Sequence, residues 1–175
     1  MTKNNKTALI DADSLIFYSS KDTIEESLDS LKSRITNNLT VTESDSFILF
    51  LTGNKGFRYD IYPEYKQNRK KRKYAKKLKY LKTLKAFMIE EYNACLIQEL
   101  EADDLVAYYK IKFDSIVCSP DKDVLHQVIG NNYNYGKDAW IETTQISSDR
   151  FLAWQLLCGD ATDNIPGIKE KTKYM

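Results

Sequence analysis

A chain of 175 residues suffices for one domain with a sizeable core, which at this size buries roughly 70% of the surface its unfolded form exposes. No stretch approaches the ~18 consecutive apolar residues of a membrane span, and Met1-Thr2-Lys3-Asn4-Asn5-Lys6 lacks the apolar centre of a signal peptide, so a cytoplasmic location is expected. Three scattered cysteines (Cys95, Cys118, Cys158), no CxxC and a single histidine, His126, speak against zinc, disulfides and a Ser-His-Asp or Cys-His site, and predict three reduced, buried thiols.

The net charge of +1 hides a strong segregation. Eleven Lys or Arg and no acid lie between Lys66 and Lys85, which leaves 15 basic residues against all 25 acids elsewhere. Charge alone leaves two readings open, a solvated lysine-rich helix face and a phosphate-binding element.

In chain order, Thr7-Ala8-Leu9-Ile10-Asp11 reads as a buried strand with a carboxylate at its C-terminal end. Ser14 to Ser20 and Thr23 to about Asn38 read as helices, the second with Ile24, Leu28, Leu31 and Ile35 on one face. Ser46 to Leu51 is a second strand, followed by the turn-rich Thr52-Gly53-Asn54-Lys55-Gly56. After Pro63 a long helix is predicted from about Glu64 to Glu91, with Tyr74, Leu78, Leu81 and Met88 on its apolar side. Ala94 to Ile97 is a third strand, Glu99 to Phe113 a helix, and Ser115 to Ser119 a fourth strand. Asp121 to His126 reads as a short helix capped by its own aspartate, Val128 to Thr144 as a hairpin around Gly136-Lys137. Ser148 to Cys158 reads as a helix with Phe151, Leu152, Leu156 and Leu157 inward. Strands alternating with helices predict an α/β fold with a mostly parallel sheet between helical layers, whose sites form beyond the C-terminal strand ends.

Four acidic clusters fall near such ends: Asp11 with Asp13, Glu101-Ala102-Asp103-Asp104, Asp121-Lys122-Asp123, and Asp160-Ala161-Thr162-Asp163. Glu101 and Asp104 have the spacing of one helix face, with Asp103 pointing off it, and Asp160 and Asp163 are again one turn apart. One such cluster is more often a solvated or capping feature. Four of them opposite a basic element favour a metal site, because crowded carboxylates repel one another unless a cation lies between. Oxygen ligands without histidine or thiol suit Mg2+ or Mn2+, and two such ions can drive an in-line phosphoryl displacement.

Taken together, Leu9-Ile10-Asp11-Ala12-Asp13, Phe57-Arg58 through Pro63-Glu64-Tyr65-Lys66-Gln67-Asn68-Arg69, Glu101-Ala102-Asp103-Asp104, Ser119-Pro120-Asp121-Lys122-Asp123 and Gly159-Asp160-Ala161-Thr162-Asp163-Asn164-Ile165-Pro166-Gly167 resemble the 5′ nuclease family of bacteriophage 5′–3′ exonucleases, flap endonucleases and the exonuclease domain of bacterial DNA polymerase I. The resemblance covers nearly the whole chain, and its last block is the most specific. It implies a PIN-like three-layer α/β/α fold over residues 1–158 with a basic helical arch at about 64–91, and over 159–175 the truncated start of a helix-hairpin-helix element. It also implies metal-dependent cleavage near 5′ ends or flaps of DNA, with RNA in RNA–DNA hybrids as a further substrate, in replication or repair. The setting would be a bacterial cytoplasm, that of a phage-infected host included.

Carried over by motif, Asp11, Glu101, Asp103 and Asp104 would hold a first Mg2+ and Asp121, Asp123, Asp160 and Asp163 a second, with Mn2+ as a substitute. Lys66 and Arg69 would be the catalytic basic pair at the base of the arch. Arg58, Lys70, Lys71, Arg72, Lys73, Lys76 and Lys77 would contact DNA phosphates; for Arg58 a structural salt bridge is an equal alternative. Tyr65 would stack on a terminal base or anchor the long helix. Asp13 suits a helix cap as well as a metal role. Two departures stand out. The family usually has an aspartate after the second strand, where this chain offers only Thr52 or Asn54. The Gly-rich hairpin after Gly167 is short, consistent with a minimal form, a truncated product, or a remainder supplied by a separate polypeptide. Two rival functions follow: a DNA-binding replication accessory protein of the same fold with weakened catalysis, and a PIN-type ribonuclease.

Overall fold

The computed structural model describes residues 6–54, 56–71 and 79–168. The apolar runs form a six-stranded sheet of β1 (Thr7–Asp11), β2 (Ser46–Thr52), β3 (Cys95–Ile97), β4 (Ser115–Cys118), β5 (Gly130–Asn134) and β6 (Ala139–Thr143). Its order is β3-β2-β1-β4-β5-β6, parallel throughout except for the β5–β6 hairpin. Parallel strands need crossovers, supplied here by helices: α1 (Ala12–Ser19), α2 (Ile24–Thr42), the one-turn α3 (Arg58–Ile61), α4 (Leu81–Tyr92), α5 (Ala102–Lys112) and α6 (Lys122–Gln127); α7 (Gln145–Cys158) follows the last strand.

Because side chains alternate along a strand, the central strands feed two cores. Ala8, Ile10, Leu49, Leu51, Ile116 and Cys118 meet Leu15, Ile16, Leu31, Ile35, Leu84 and Met88 of α1, α2 and α4. Leu9, Phe50 and Val117 meet Leu105, Val106 and Val124 of α5 and α6 on the other face. Each large aliphatic chain buried this way contributes roughly 1.5–3 kcal/mol, so the sheet is a rigid platform for whatever extends from its strand ends. Helix ends are fixed locally as well. Thr23 and Glu26 form a capping box at the start of α2, and Glu43 closes that helix in the left-handed conformation.

Three expectations change. A single helix from Glu64 to Glu91 does not form. Lys66 takes a φ of 55°, which no α-helix passes through, residues 67–71 make a 3-10 turn, and α4 begins only at Leu81. Tyr74, Leu78, Arg72, Lys73, Lys76 and Lys77 lie outside the described residues, as do the side chains of Lys70 and Lys71. The helix at the end is present, but α7 buries none of its residues, and Leu152, Leu156 and Leu157 are exposed. It rests on α6 partly through Phe151 and His126, whose ring centroids are 5.1 Å apart. The thiols are all free, yet only Cys118 is buried; Cys95 is half-buried and Cys158 exposed.

After α7 the chain turns back in a two-strand hairpin, β7 (Gly159–Asp160) with β8 (Ile165–Pro166). Gly159 has φ +71°, and a Cβ there would overlap the backbone of Gly167 and Ile165. A Cβ on Gly167 would in turn overlap the backbone of Cys158, so the two glycines let the strands close on each other. The loop they frame, 161–164, is tied to the 62–69 segment. Lys66 N–H donates to Asp163 O at 2.9 Å, Asn164 Nδ2 to Glu64 O at 2.9 Å, and Tyr62 Oη to Asn164 O at 3.2 Å.

Candidate active site

In the order β3-β2-β1-β4-β5-β6 the chain reverses direction across the sheet between β1 and β4, and a crevice opens beyond the C-terminal ends of those strands. Asp11 ends β1 there and Ser119-Pro120-Asp121 leave β4. A cavity of about 970 Å³ occupies this crevice, lined by Asp11, Asp13, Glu101, Asp103, Asp121, Asp123, Asp160 and Asp163 with Lys66, Arg69, Lys85 and Lys122.

Asp11 is 3% exposed; its Oδ2 accepts from Ser119 Oγ at 3.0 Å and its Oδ1 from Ser14 N–H, which makes it the cap of α1. Burial, reinforced by the charge of Asp13, pushes its carboxyl up to about 6. Asp13 is not the cap. Its Oδ2 accepts from Thr52 N–H at 2.8 Å and its Oδ1 pairs with Lys85 Nζ at 2.7 Å.

Glu101 is the N-cap residue of α5, and its backbone N–H is taken by Asp104 in a capping box. That geometry aims the Glu101 carboxylate inward, where Lys66 Nζ lies 2.8 Å from both its oxygens and Tyr65 Oη donates to it at 3.0 Å. Asp103 is the aspartate of α5 that faces the cavity. Burial first, then the charges of Asp11, Asp121 and Glu101, raise its carboxyl well above the usual range. Asp104 turns the other way and makes a bidentate pair with Arg58 at 2.6 and 2.7 Å. Burial works against that carboxylate, but the Arg58 and Glu101 hydrogen bonds outweigh it and hold Asp104 below its ordinary value. Asp104 lines a neighbouring cavity of about 790 Å³ instead, with Ile61, Ile111 and Ile129.

Asp121 caps α6 through Asp123 N–H at 2.7 Å. Asp123 accepts from Gln155 Nε2 at 2.7 Å and is raised by burial and by Asp121. Lys122 lies 3.3 Å from Asp123 and 3.4 Å from Asp160, bridging the third and fourth clusters. Asp160 ends β7 and Asp163 stands in the 161–164 turn, neither on a helix; Asp160 Oδ1 accepts from Thr162 N–H at 2.7 Å and Asp163 N–H at 3.3 Å. Burial opposes that carboxylate's charge, but these N–H donors and Lys122 prevail and lower its pKa. Asp163 accepts from Arg69 at 2.5 Å and from Tyr65 Oη at 3.0 Å.

Seven of the eight carboxylates expected at the metal site thus share one cavity, with Lys66 and Arg69 in its wall, and Asp104 stands apart. Asp13, for which a helix cap and a metal role were both open, lines it too, and Lys85 and Lys122 join it without having been assigned a role. The Asp-x-Asp and Asp-Lys-Asp spacings were visible, but which side chain turned inward depended on the caps. Tyr65 is 4% exposed, with its ring edge-on to Tyr59 at 5.4 Å, so it anchors the segment and offers no open face for a base. Arg58 is the structural ion pair. The donor chemistry is all oxygen and suits a hard divalent cation. Among the described residues no three of these groups stand close enough together to grip one ion at once. Lys66, Arg69, Lys85 and Lys122 instead act as counter-charges.

A mostly parallel α/β sheet with helices on both faces and an acidic cavity at its switch point defines the class: an open α/β fold with its site where such sheets bind ligands. Residues 6–152 match the 5′–3′ exonuclease N-terminal resolvase-like domain, and the chain belongs to that family. It is similar to a 5′–3′ exonuclease of Buchnera aphidicola (28% identity over 134 residues, 69% of this chain and 47% of that one). DNA polymerase I of Rhizobium leguminosarum is 27% identical over 141 residues, 73% of this chain and 14% of that one. The chain therefore spans less than half the length of either relative. Among solved structures, a bacteriophage T5 flap endonuclease in a pseudo-enzyme–product complex with DNA and metal ions superposes with a TM-score of 0.78 at 19% identity, over 94% of this chain and 70% of that one. The likeness shows the shared PIN-like fold.

Proposed function

We propose that this protein is a divalent-metal-dependent 5′–3′ exonuclease or flap endonuclease that hydrolyses DNA, and RNA in RNA–DNA hybrids, during replication or repair in a bacterial or phage-infected cytoplasm. The observation that carries it is the convergence of all four acidic clusters on one cavity at the switch point. Eight carboxylates there face four cationic side chains, so at full ionisation four negative charges are left over, the charge of two Mg2+ ions. Asp11, Glu101 and Asp103 would hold one ion and Asp121, Asp123, Asp160 and Asp163 the other, with Mn2+ able to substitute. Such ions supply an activated water and stabilise the leaving oxygen.

The chain's own residues do the rest. Lys66, now on Glu101, would turn to the scissile phosphate and neutralise charge that grows in the transition state. Arg69 sits beside it on the same segment and orients the phosphate. Tyr65 keeps that segment registered against Glu101 and Asp163. The basic residues that follow would contact the strand through phosphates, without sequence preference.

A second reading, a DNA-binding accessory protein with weakened catalysis, draws on the carboxylates' open arrangement and the neutral Thr52 at the end of β2. A 5′-labelled flap substrate with Mg2+ or EDTA separates the two. Metal-dependent release of short 5′ products supports the nuclease, binding without cleavage the accessory role.

A further inference from the structure

The four cations of the cavity follow one pattern: each lies on carboxylates of the site. Lys66 sits on Glu101, Arg69 on Asp163, and Lys122 on Asp123 and Asp160. The fourth pair, Lys85 on Asp13 at 2.7 Å, has the same form but involves an aspartate that the sequence left open between a helix cap and a metal role. Strand β2 ends at this cavity without a carboxylate of its own, on Thr52, whose hydroxyl is engaged by Ala102 N–H at 3.1 Å. Asp13 brings one there from the first turn of α1. Its Oδ2 takes Thr52 N–H at 2.8 Å, while Lys85 Nζ also donates to Thr52 O at 3.2 Å. Its negative charge acts on Asp11, two residues away.

A tie between α1, β2 and α4 would explain these contacts too, but it would not need an ion pair opening onto an acidic cavity. Resting on the nuclease reading above, we infer that Asp13 supplies the negative charge at the end of β2 that the metal site uses, with Lys85 as its displaceable counter-ion. In the metal-free protein the ammonium neutralises Asp13; a divalent ion entering beside Asp11 replaces that neutralisation and releases Lys85 toward the cavity mouth.

The test is Mn2+ titration of the full chain by electron paramagnetic resonance, with melting temperatures in EDTA, for wild type, Asp13→Asn and Lys85→Met. Asn keeps the acceptor for Thr52 N–H, so the fold contact survives. The metal role shifts affinity in opposite directions. Asp13→Asn weakens Mn2+ binding about tenfold and Lys85→Met tightens it by a similar factor, the size expected of one unit charge acting on a divalent ion across several ångströms of water-like dielectric. A mere tie lowers both melting temperatures and leaves both affinities within about twofold of wild type, well short of that charge effect, which overturns the inference. Should Asp13→Asn fail to fold, Lys85→Met decides alone: tighter binding supports the inference and unchanged binding overturns it. Wild type that binds no Mn2+ refutes the inference and the nuclease reading together, whereas wild type that binds beside unshifted variants refutes the inference only.

Discussion

Asp11 is a liability to the metal-free fold, and Asp11→Asn measures how large. Its carboxyl is buried and pushed up to about 6 against 3.8 when unfolded. Between those two values the folded protein binds more protons than the unfolded chain, so stability falls as pH rises through the window. The cost is absent below about pH 4 and complete above about pH 6. At about 1.4 kcal/mol per pKa unit it amounts to roughly 3 kcal/mol. Asn accepts from Ser14 N–H as Asp does, so the α1 cap is retained. For a chain of this size roughly 3 kcal/mol corresponds to a melting temperature about 6–12 °C higher. Differential scanning fluorimetry in EDTA should show that lead at pH 7.5 and a much smaller one at pH 4.5. Added Mg2+ should raise wild type more than the variant, because the ion compensates the charge that Asn lacks. A variant in EDTA at pH 7.5 that melts no higher than wild type would refute the reasoning, as would a lead unchanged by pH.

Lys66→Ala should lower kcat on a 5′ flap substrate by at least ~10-fold while DNA affinity changes little; a smaller loss of turnover withdraws the catalytic role. Arg58→Ala leaves Asp104 half-buried without its bidentate partner and should cost about 1–3 kcal/mol by urea denaturation with little change in Mn2+ affinity. Gly159→Ala puts a Cβ into the Gly167 backbone at a positive φ, opens the hairpin that carries Asp160 and Asp163, and should cost about 1–3 kcal/mol together with weaker Mn2+ binding.

The sheet was legible because short apolar runs such as Thr7–Asp11 and Ser115–Cys118 bury both faces and leave no competing periodicity. Convergence of the acids at the strand ends was legible for the same reason. What escaped was decided by single backbone conformations. The helical spacing of Glu101 and Asp104 suggested a shared face, but Glu101 is the cap, so its side chain leaves the helix and Asp103 faces the site in Asp104's place. The long basic helix failed at Lys66, whose left-handed conformation accompanies its reach to Glu101, a contact that joins residues 35 apart. Apolar spacing in α7 predicted an inward face, but a pattern does not say what stands opposite, and among the described residues α7 leans mainly on α6 and the hairpin.

The ties between the 62–69 segment and the 161–164 loop also bear on how the molecule comes into being. Arg69 and Asp163 are 94 residues apart in sequence, and Asn68 and Ala161 are 93 apart. Closing so long a loop is entropically costly and is repaid only after the intervening strands have paired. A chain emerging from the ribosome has Asp11 and Glu101 in hand well before Asp163 arrives. The acidic cavity is therefore completed only once the last of its four carboxylate segments has been made.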